Sequence, residues 1–328
     1  MIKQINYYIG EETNPHYNLA VEQYLMETVA PDTCILYLWQ NKHTVVIGRN
    51  QNAWKECRTE ELKQQGGHLA RRLSGGGAVF HDMGNLNFTF LVSKKEYDLD
   101  KQLDVISKAC ESFGLTVTKS GRNDLLAEGR KFSGNAYYDS HGQAYHHGTL
   151  LINVDMSMLS KYLKPSKAKL ESKGVDSVSS RVINLTELCP DITIEKMCVA
   201  LIRAFEEVYN LTATPLTQDT FDVNTIDEYT RRNESWDWLY GKKIPFTFSF
   251  GKRFSWGELE VQANVNAGIL KEVAVYTDSM DWNLTTELTG ALTNCPMDLL
   301  EMQSRIQAID CPSDVREDII ELIKEQEI

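Results

Sequence analysis

Three consecutive glycines, Gly75, Gly76 and Gly77, stand between the arginine pair Arg71-Arg72 and the pair His81-Asp82 within residues 71–90 (RRLSGGGAVFHDMGNLNFTF). Residues without a Cβ let backbone N–H groups approach a ligand closely, and guanidiniums neutralise phosphate or carboxylate oxygens through paired hydrogen bonds. The chemistry that suits this stretch is anion binding. A second cluster, residues 121–138 (GRNDLLAEGRKFSGNAYY), adds Asn123, Asp124 and Lys131. Asn123 and Asp124 suit either an Asx turn or, through the carboxylate, a hard cation. Residues 145–155 (YHHGTLLINVD) and 180–188 (SRVINLTEL) complete the set.

Several familiar chemistries are disfavoured by spacing. There is no P-loop G-x-x-x-x-G-K-[ST], and RRLSGGG is not the dinucleotide pattern G-x-G-x-x-G, so neither standard nucleotide fold is implied. His81-Asp82 and His146-His147 lack the i, i+4 spacing of a helical zinc site and have no cysteine beside them. His81 is expected to orient a loop through Asp82, and His147 to line a pocket. Ser74 and Ser133 are expected to hydrogen-bond to backbone or ligand rather than attack, since no G-x-S-x-G elbow occurs.

Taken in order and at these spacings, the four segments resemble the lipoate-protein ligase family. The resemblance runs from the start of the chain to about residue 245, with a weaker echo over the last eighty or so residues. It implies the α+β biotin/lipoate ligase fold, with a large mixed-sheet catalytic domain over 1–243 and a small α+β accessory domain over 244–328. It implies ATP-dependent activation of lipoate to lipoyl-AMP, then transfer to a lysine of an acceptor. Those acceptors are the lipoyl domains of 2-oxoacid dehydrogenase E2 subunits or the glycine-cleavage H protein. By the same resemblance, ATP and lipoyl-AMP fall to Arg72, Gly75, Gly76, Gly77, Ala78, Val79, Phe80, Asn123, Asp124 and Lys131. Lipoate falls to Arg72, Ser74, His81, Lys131, His147 and Gly148, and Mg²⁺ to Asp124. Lys131 is the catalytic residue, touching acyl carboxyl and α-phosphate and stabilising charge without covalent attack. Val46, Leu73, Val79 and Phe80 are wall candidates for the acyl chain, though core packing explains each equally well.

Three alternatives stay open. An octanoyl or lipoyl transferase of the same fold needs a nucleophilic cysteine, and none of the seven cysteines falls inside the RRLSGGG, GRKFSG or YHHGTL segments. Biotin ligases share the adenylation logic but differ in their glycine motif. A non-catalytic lipoate binder would keep the pocket without turnover.

The elements that must position these residues follow from periodicity. Asn14-Pro15 opens a helix over 15–29, and helices are also predicted over 59–65, 101–113 and 194–209. Strands are predicted over 34–39 and 44–48 as a hairpin, and over 87–92, 115–119 and 149–154. After residue 240 the pattern changes to strands over 244–250, 258–265 and 269–276, then helices near 283–292, 297–308 and 314–326. Residues 231–243 are the candidate linker, with Trp236 and Trp238 hinting at packing. Irregular alternation favours α+β over a doubly wound sheet.

Length and composition are those of a soluble globular chain. Its 328 residues hold 42% apolar and 24% charged residues, enough for one large and one small core. A net charge of −12 repels nucleic acid, so a phosphate site must be a local concentration of cations. The N-terminus lacks a secretory pattern and no apolar run reaches membrane-spanning length, so a cytoplasmic monomer without nucleic-acid or membrane partners is expected. The odd cysteine count argues for reduced, mostly buried thiols.

Overall fold

The computed structural model describes residues 1–120, 124–164, 182–241 and 244–326. Strand β1 (Gln4–Ile9) leads into α1 (Pro15–Thr28), which opens where the Asn14 side chain accepts from the His16 N–H and proline occupies the first turn. β2 (Thr33–Trp39), β3 (Thr44–Ile47), α2 (Ala53–Glu56), α3 (Thr59–Gln64), β4 (His68–Arg71), β5 (Val79–His81) and β6 (Asn85–Ser93) follow. Then come α4 (Leu99–Glu111), β7 (Val117–Ser120), β8 (Asp124–Ala127), β9 (Arg130–Ser140), β10 (Gln143–Leu151), α5 (Met156–Tyr162), α6 (Leu185–Leu188), α7 (Ile194–Tyr209), β11 (Ala213–Pro215), α8 (Val223–Glu234) and α9 (Trp236–Tyr240). The mixed α+β architecture is as expected.

An eight-stranded mixed sheet, in the order β11-β1-β2-β6-β10-β9-β8-β7, forms the frame. Every residue of β2 is buried, because both faces are covered. Cys34, Leu36 and Leu38 point into a core shared with α4 and α7, whereas Ile35, Tyr37 and Trp39 point into a second core shared with α1 and α8. The second face is the one that matters for chemistry.

The predicted hairpin of residues 34–39 and 44–48 does not form. β2 pairs with β1 and β6, while β3 leaves for a separate three-stranded sheet, parallel to β4 and antiparallel to β5. β4 ends at Arg71 and β5 begins at Val79, so the glycine segment is the loop that joins the two outer strands of this small sheet. It passes over the end of the central strand, where Gly48 emerges.

The C-terminal unit has its own sheet, β12 (Phe248–Phe254), β13 (Gly257–Asn266), β14 (Ile269–Thr277) and β15 (Cys295–Pro296). It is packed by α10 (Leu284–Leu292), α11 (Leu299–Gln307) and α12 (Ser313–Lys324) around a third core built on Leu259, Leu288, Met302 and Ile319. The β13–β14 turn has Ala267 and Gly268 both at positive φ, as a two-residue hairpin turn requires. Two strands begin well away from their predicted starts. β12 starts beyond Pro245, which has no N–H to pair, and β10 starts at Gln143 because His146 and His147 are paired inside the sheet. Within the presumed linker, residues 231–240 belong to the packed helices α8 and α9: α8 lies on α1, and the Trp238 indole of α9 donates to the Arg71 carbonyl at 3.0 Å.

Candidate functional site

The glycine loop is held from beneath by Arg72. Its buried guanidinium donates from Nε to Ser74 Oγ (3.1 Å) and from Nη2 to the carbonyls of Gly75 and Gly77 (both 2.8 Å). Burial lowers its pKa to about 10, so it stays charged at neutral pH. Arg71 is committed elsewhere, to the carbonyls of Gly48, Arg49, Gln51, Trp238 and Leu239. The arginine pair that the sequence offered to an anion therefore organises the loop: Arg72 sets its curvature, and Arg71 ties residues 48–51 to α9.

A buried polar chain connects this loop to the main sheet. Ser74 Oγ, completely buried, donates to His147 Nε2 (2.8 Å), and His147 Nδ1 donates to Glu22 Oε1 (2.8 Å). Thr89 Oγ1 also donates to Glu22 (2.7 Å) and accepts from Trp39 Nε1 (3.1 Å). Each donor finds one acceptor, as a buried network requires. The order Ser-His-Glu has the connectivity of an acyl-transfer triad, but Ser74 is inaccessible and already accepts from Arg72, which suits an anchor rather than a nucleophile.

Lys131 lies on the same face of the sheet as that anchor. On β9, Tyr138 is opposite Tyr145 and Ala136 is opposite His147, so Gly134, two residues earlier, faces the same side. The Lys131 ammonium reaches over Gly134, within 2.9 Å of where a Cβ there would lie, and pairs with Asp124 Oδ1 at 2.6 Å. Both side chains are about one-third exposed (35%), so the cation remains open to a ligand. The Ser74–His147 anchor of the glycine loop and the Lys131 ammonium thus lie on one face of the sheet.

Other expected site residues are placed differently. His81 is buried and pairs through Nδ1 with Asn41 (3.1 Å), not with Asp82, which instead accepts from the backbone N–H groups of Gly84 and Asp155. Burial first, then Arg72 and His147, lowers the His81 pKa to about 3. Phe80 packs in a separate core with Tyr162, while Val79, Val46 and Leu73 pack toward the α1 face. Gly148 faces away from His147: a Cβ there would meet Asn135 Oδ1 and the Phe88 ring, each at 2.6 Å. Ser133 accepts from Asn135 Nδ2 (3.4 Å), and Ala78 packs beside the Phe80 core. Asn123 lies outside the described residues. Among the described residues no group of three or more His, Cys, Asp or Glu could hold a metal ion. All seven cysteines are free; burial pushes the thiols of Cys34, Cys57, Cys110 and Cys198 up to about 12, unlike an activated nucleophile.

Four contributors have no motif to announce them. Gly48 underlies the loop, where any Cβ would overlap the Gly76 carbonyl. Glu22 sits in an α1 that is buried nearly all round, and an acid in so apolar a stretch (LAVEQYLM) is the signal available for it. Arg49 donates its N–H to the Ser74 carbonyl at 2.9 Å. Residues 279–282 of the C-terminal unit cover the loop: Gly76 N–H donates to Ser279 O (3.0 Å), Asn50 Nδ2 to Trp282 O (2.8 Å), and the Trp282 ring tilts on Tyr138 at 5.0 Å.

This geometry has a counterpart in known families. Residues 14–206 match the model of the lipoyl protein ligase A/B catalytic domain, and residues 243–323 that of the bacterial lipoate protein ligase C-terminus. The chain belongs to the lipoate protein ligase family. Among solved structures, LipL1 of P. falciparum in complex with lipoate is 29% identical, with a TM-score of 0.87 over 98% of this chain and 100% of that one. A bipartite lipoate protein ligase from Thermoplasma acidophilum, solved with its E2 lipoyl domain, is 25% identical with a TM-score of 0.63, covering 76% of this chain and 100% of that one. A lipoate-protein ligase A bound with ATP is also 25% identical, with a TM-score of 0.61 over 74% of this chain and 99% of that one. No described helix of this chain is long and apolar enough to cross a membrane.

Proposed function

We propose that this chain is a ligase that couples lipoate to ATP and passes the lipoyl group to a lysine of an acceptor protein. One observation carries the reading: the Lys131 ammonium and the glycine loop share one face of the main sheet, joined through the Ser74–His147 anchor. In the first step a lipoate carboxylate oxygen attacks the α-phosphorus, the bond to the bridging oxygen breaks, and pyrophosphate leaves. Two anions must meet, so the site has to supply cations and oriented amides. Lys131 supplies charge at the reacting centre, and the loop supplies N–H groups on a scaffold curved by Arg72. In the second step the ε-amine of an acceptor lysine attacks the acyl carbon and AMP departs. Asp124, one-third exposed beside the Lys131 ammonium, is the carboxylate that would hold a Mg²⁺ carried in on the triphosphate, and the ion would supply charge neutralisation there.

The acceptors we propose are lipoyl domains of 2-oxoacid dehydrogenase E2 subunits or the glycine-cleavage H protein, and the setting a reducing cytoplasm in which seven thiols stay free. The LipL1 complex with lipoate, the ATP-bound ligase A and the T. acidophilum pairing with an E2 lipoyl domain support these choices. The test is exchange of radiolabelled pyrophosphate into ATP with lipoate, octanoate and biotin in parallel. Lipoate should stimulate exchange and biotin should not; absence of stimulation by lipoate refutes the reading.

A further inference from the structure

Both arginines of the glycine motif donate to backbone carbonyls, and Lys131 is paired with Asp124. A third guanidinium, that of Arg49, stands beside the loop. Its backbone N–H donates to the Ser74 carbonyl (2.9 Å), and the preceding Gly48 presses on the Gly76 carbonyl, so the side chain starts one peptide from the triplet. The guanidinium lies among three rings, 5.9 Å from the centroids of Tyr138 and Trp238 and 5.5 Å from that of Trp282. Among the described residues it has no hydrogen-bond or carboxylate partner. Rings hold a guanidinium by its face and leave the five N–H donors on its edge unused.

The position of this cation is informative. Tyr138 marks one end of a stretch of β9 and Gly134, under the Lys131 ammonium, marks the other; the partner of His147, Ala136, lies midway. Four residues of strand span about 13 Å. The Ser74–His147 anchor of the glycine loop therefore lies between the two cations, and a triphosphate laid along the loop would run from one toward the other. Trp282, one wall of the Arg49 cage, belongs to the segment whose Ser279 carbonyl occupies the Gly76 N–H, so displacing that one segment would both uncover the amide and free the guanidinium.

We propose that Arg49 binds the β- and γ-phosphates and stabilises the departing pyrophosphate, while Lys131 serves the α-phosphate. This assignment rests on the adenylation reading above. When the α-phosphorus to oxygen bond breaks, the electron pair stays on the pyrophosphate oxygen, and a bidentate guanidinium offsets the charge that gathers there. In its resting position the same side chain latches the C-terminal unit through Trp282.

Lipoate-dependent exchange of pyrophosphate with ATP, measured as kcat and KM for each substrate, separates the two roles. Arg49→Ala should lower kcat/KM for ATP by about 100-fold while KM for lipoate and the thermal midpoint stay near wild type. Arg49→Lys should recover part of the loss, since a point charge replaces a fork. Trp282→Ala, which loosens the cage but keeps the guanidinium, should leave KM for ATP at or below the wild-type value. If Arg49 were only a latch, Arg49→Ala and Trp282→Ala would behave alike, and that result overturns the assignment; so does an Arg49→Ala protein with normal KM for ATP. A wild-type protein without exchange would remove the adenylation reading itself, and the assignment with it.

Discussion

Gly48 carries no motif, yet the glycine triplet depends on it. The Gly76 carbonyl occupies the space of a side chain at position 48, and backbone lies on both sides of the contact, so nothing flexible can yield. Gly48→Ala should therefore displace the loop, cost about 1–3 kcal/mol of stability, and reduce lipoate-dependent exchange at least tenfold. Urea midpoints and exchange rates check this; a stable, fully active variant would show that the loop tolerates another path. At this scale the sequence was legible where residue type limits chemistry. Gly75, Gly76, Gly77 and Lys131 were legible as residue types, and the fold sets the anchor of the glycine loop on the sheet face that carries Lys131. Arg71 and Arg72 were legible as a pair but not in their duties, because their carbonyl acceptors come from backbone that folding brings together, as with Trp238 and Leu239.

Among elements, the polar chain from β2 through β6, α1 and β10 to the loop is where positioning is decided. Glu22→Ala would leave the His147 Nδ1–H and the Thr89 hydroxyl without their shared acceptor in a buried setting. The expected loss is about 2–4 kcal/mol, and Glu22→Gln should lose much less, because its carbonyl oxygen can still accept. Chemical denaturation of both variants decides; equal stability of Glu22→Ala and wild type would show the chain to be dispensable. The long helices α1, α4, α7 and the three at the C-terminus were read to within about two residues at each end from their apolar periodicity, whereas α8 and the short α2, α5, α6 and α9 were not read at all. The false hairpin has a physical cause: residues 40–43 look like a turn, but β3 finds its partners at positions 68–71 and 79–81, a non-local choice invisible to any short window. His146 and His147 hid the start of β10 for a similar reason, since Gln102, Asn135 and Glu22 make two histidines acceptable inside a sheet.

Across the whole molecule, three buried histidines set the response to acid. Burial is the largest cause lowering the pKa of His16 to about 4 and of His81 and His146 to about 3. The unfolded chain, with histidines near 6.5, binds more protons than the folded one below that pH. Stability is therefore fully present above about pH 6.5 and declines as pH falls toward 3–4, by on the order of 5 kcal/mol at pH 5. Urea midpoints at pH 7.5 and pH 5 measure it, and identical midpoints would refute the buried-neutral assignment. The seating of the C-terminal unit on the glycine loop was not legible in the sequence. Residues 279–282 have no composition that marks a cover; their role comes from carbonyls meeting the Gly76 N–H and from Trp282 meeting Arg49 and Tyr138.

The central claim is that Lys131 and the glycine loop join a lipoyl carboxylate to adenylate. It is tested most directly by incubating the purified protein with lipoate and ATP and weighing the bound small molecule by mass spectrometry, beside Lys131→Ala. The account predicts lipoyl-AMP with pyrophosphate release for the wild type and neither for the variant. The variant should remain folded, because its ion pair with Asp124 is partly exposed and adds little stability. Lipoyl-AMP formed equally by both proteins would contradict the account.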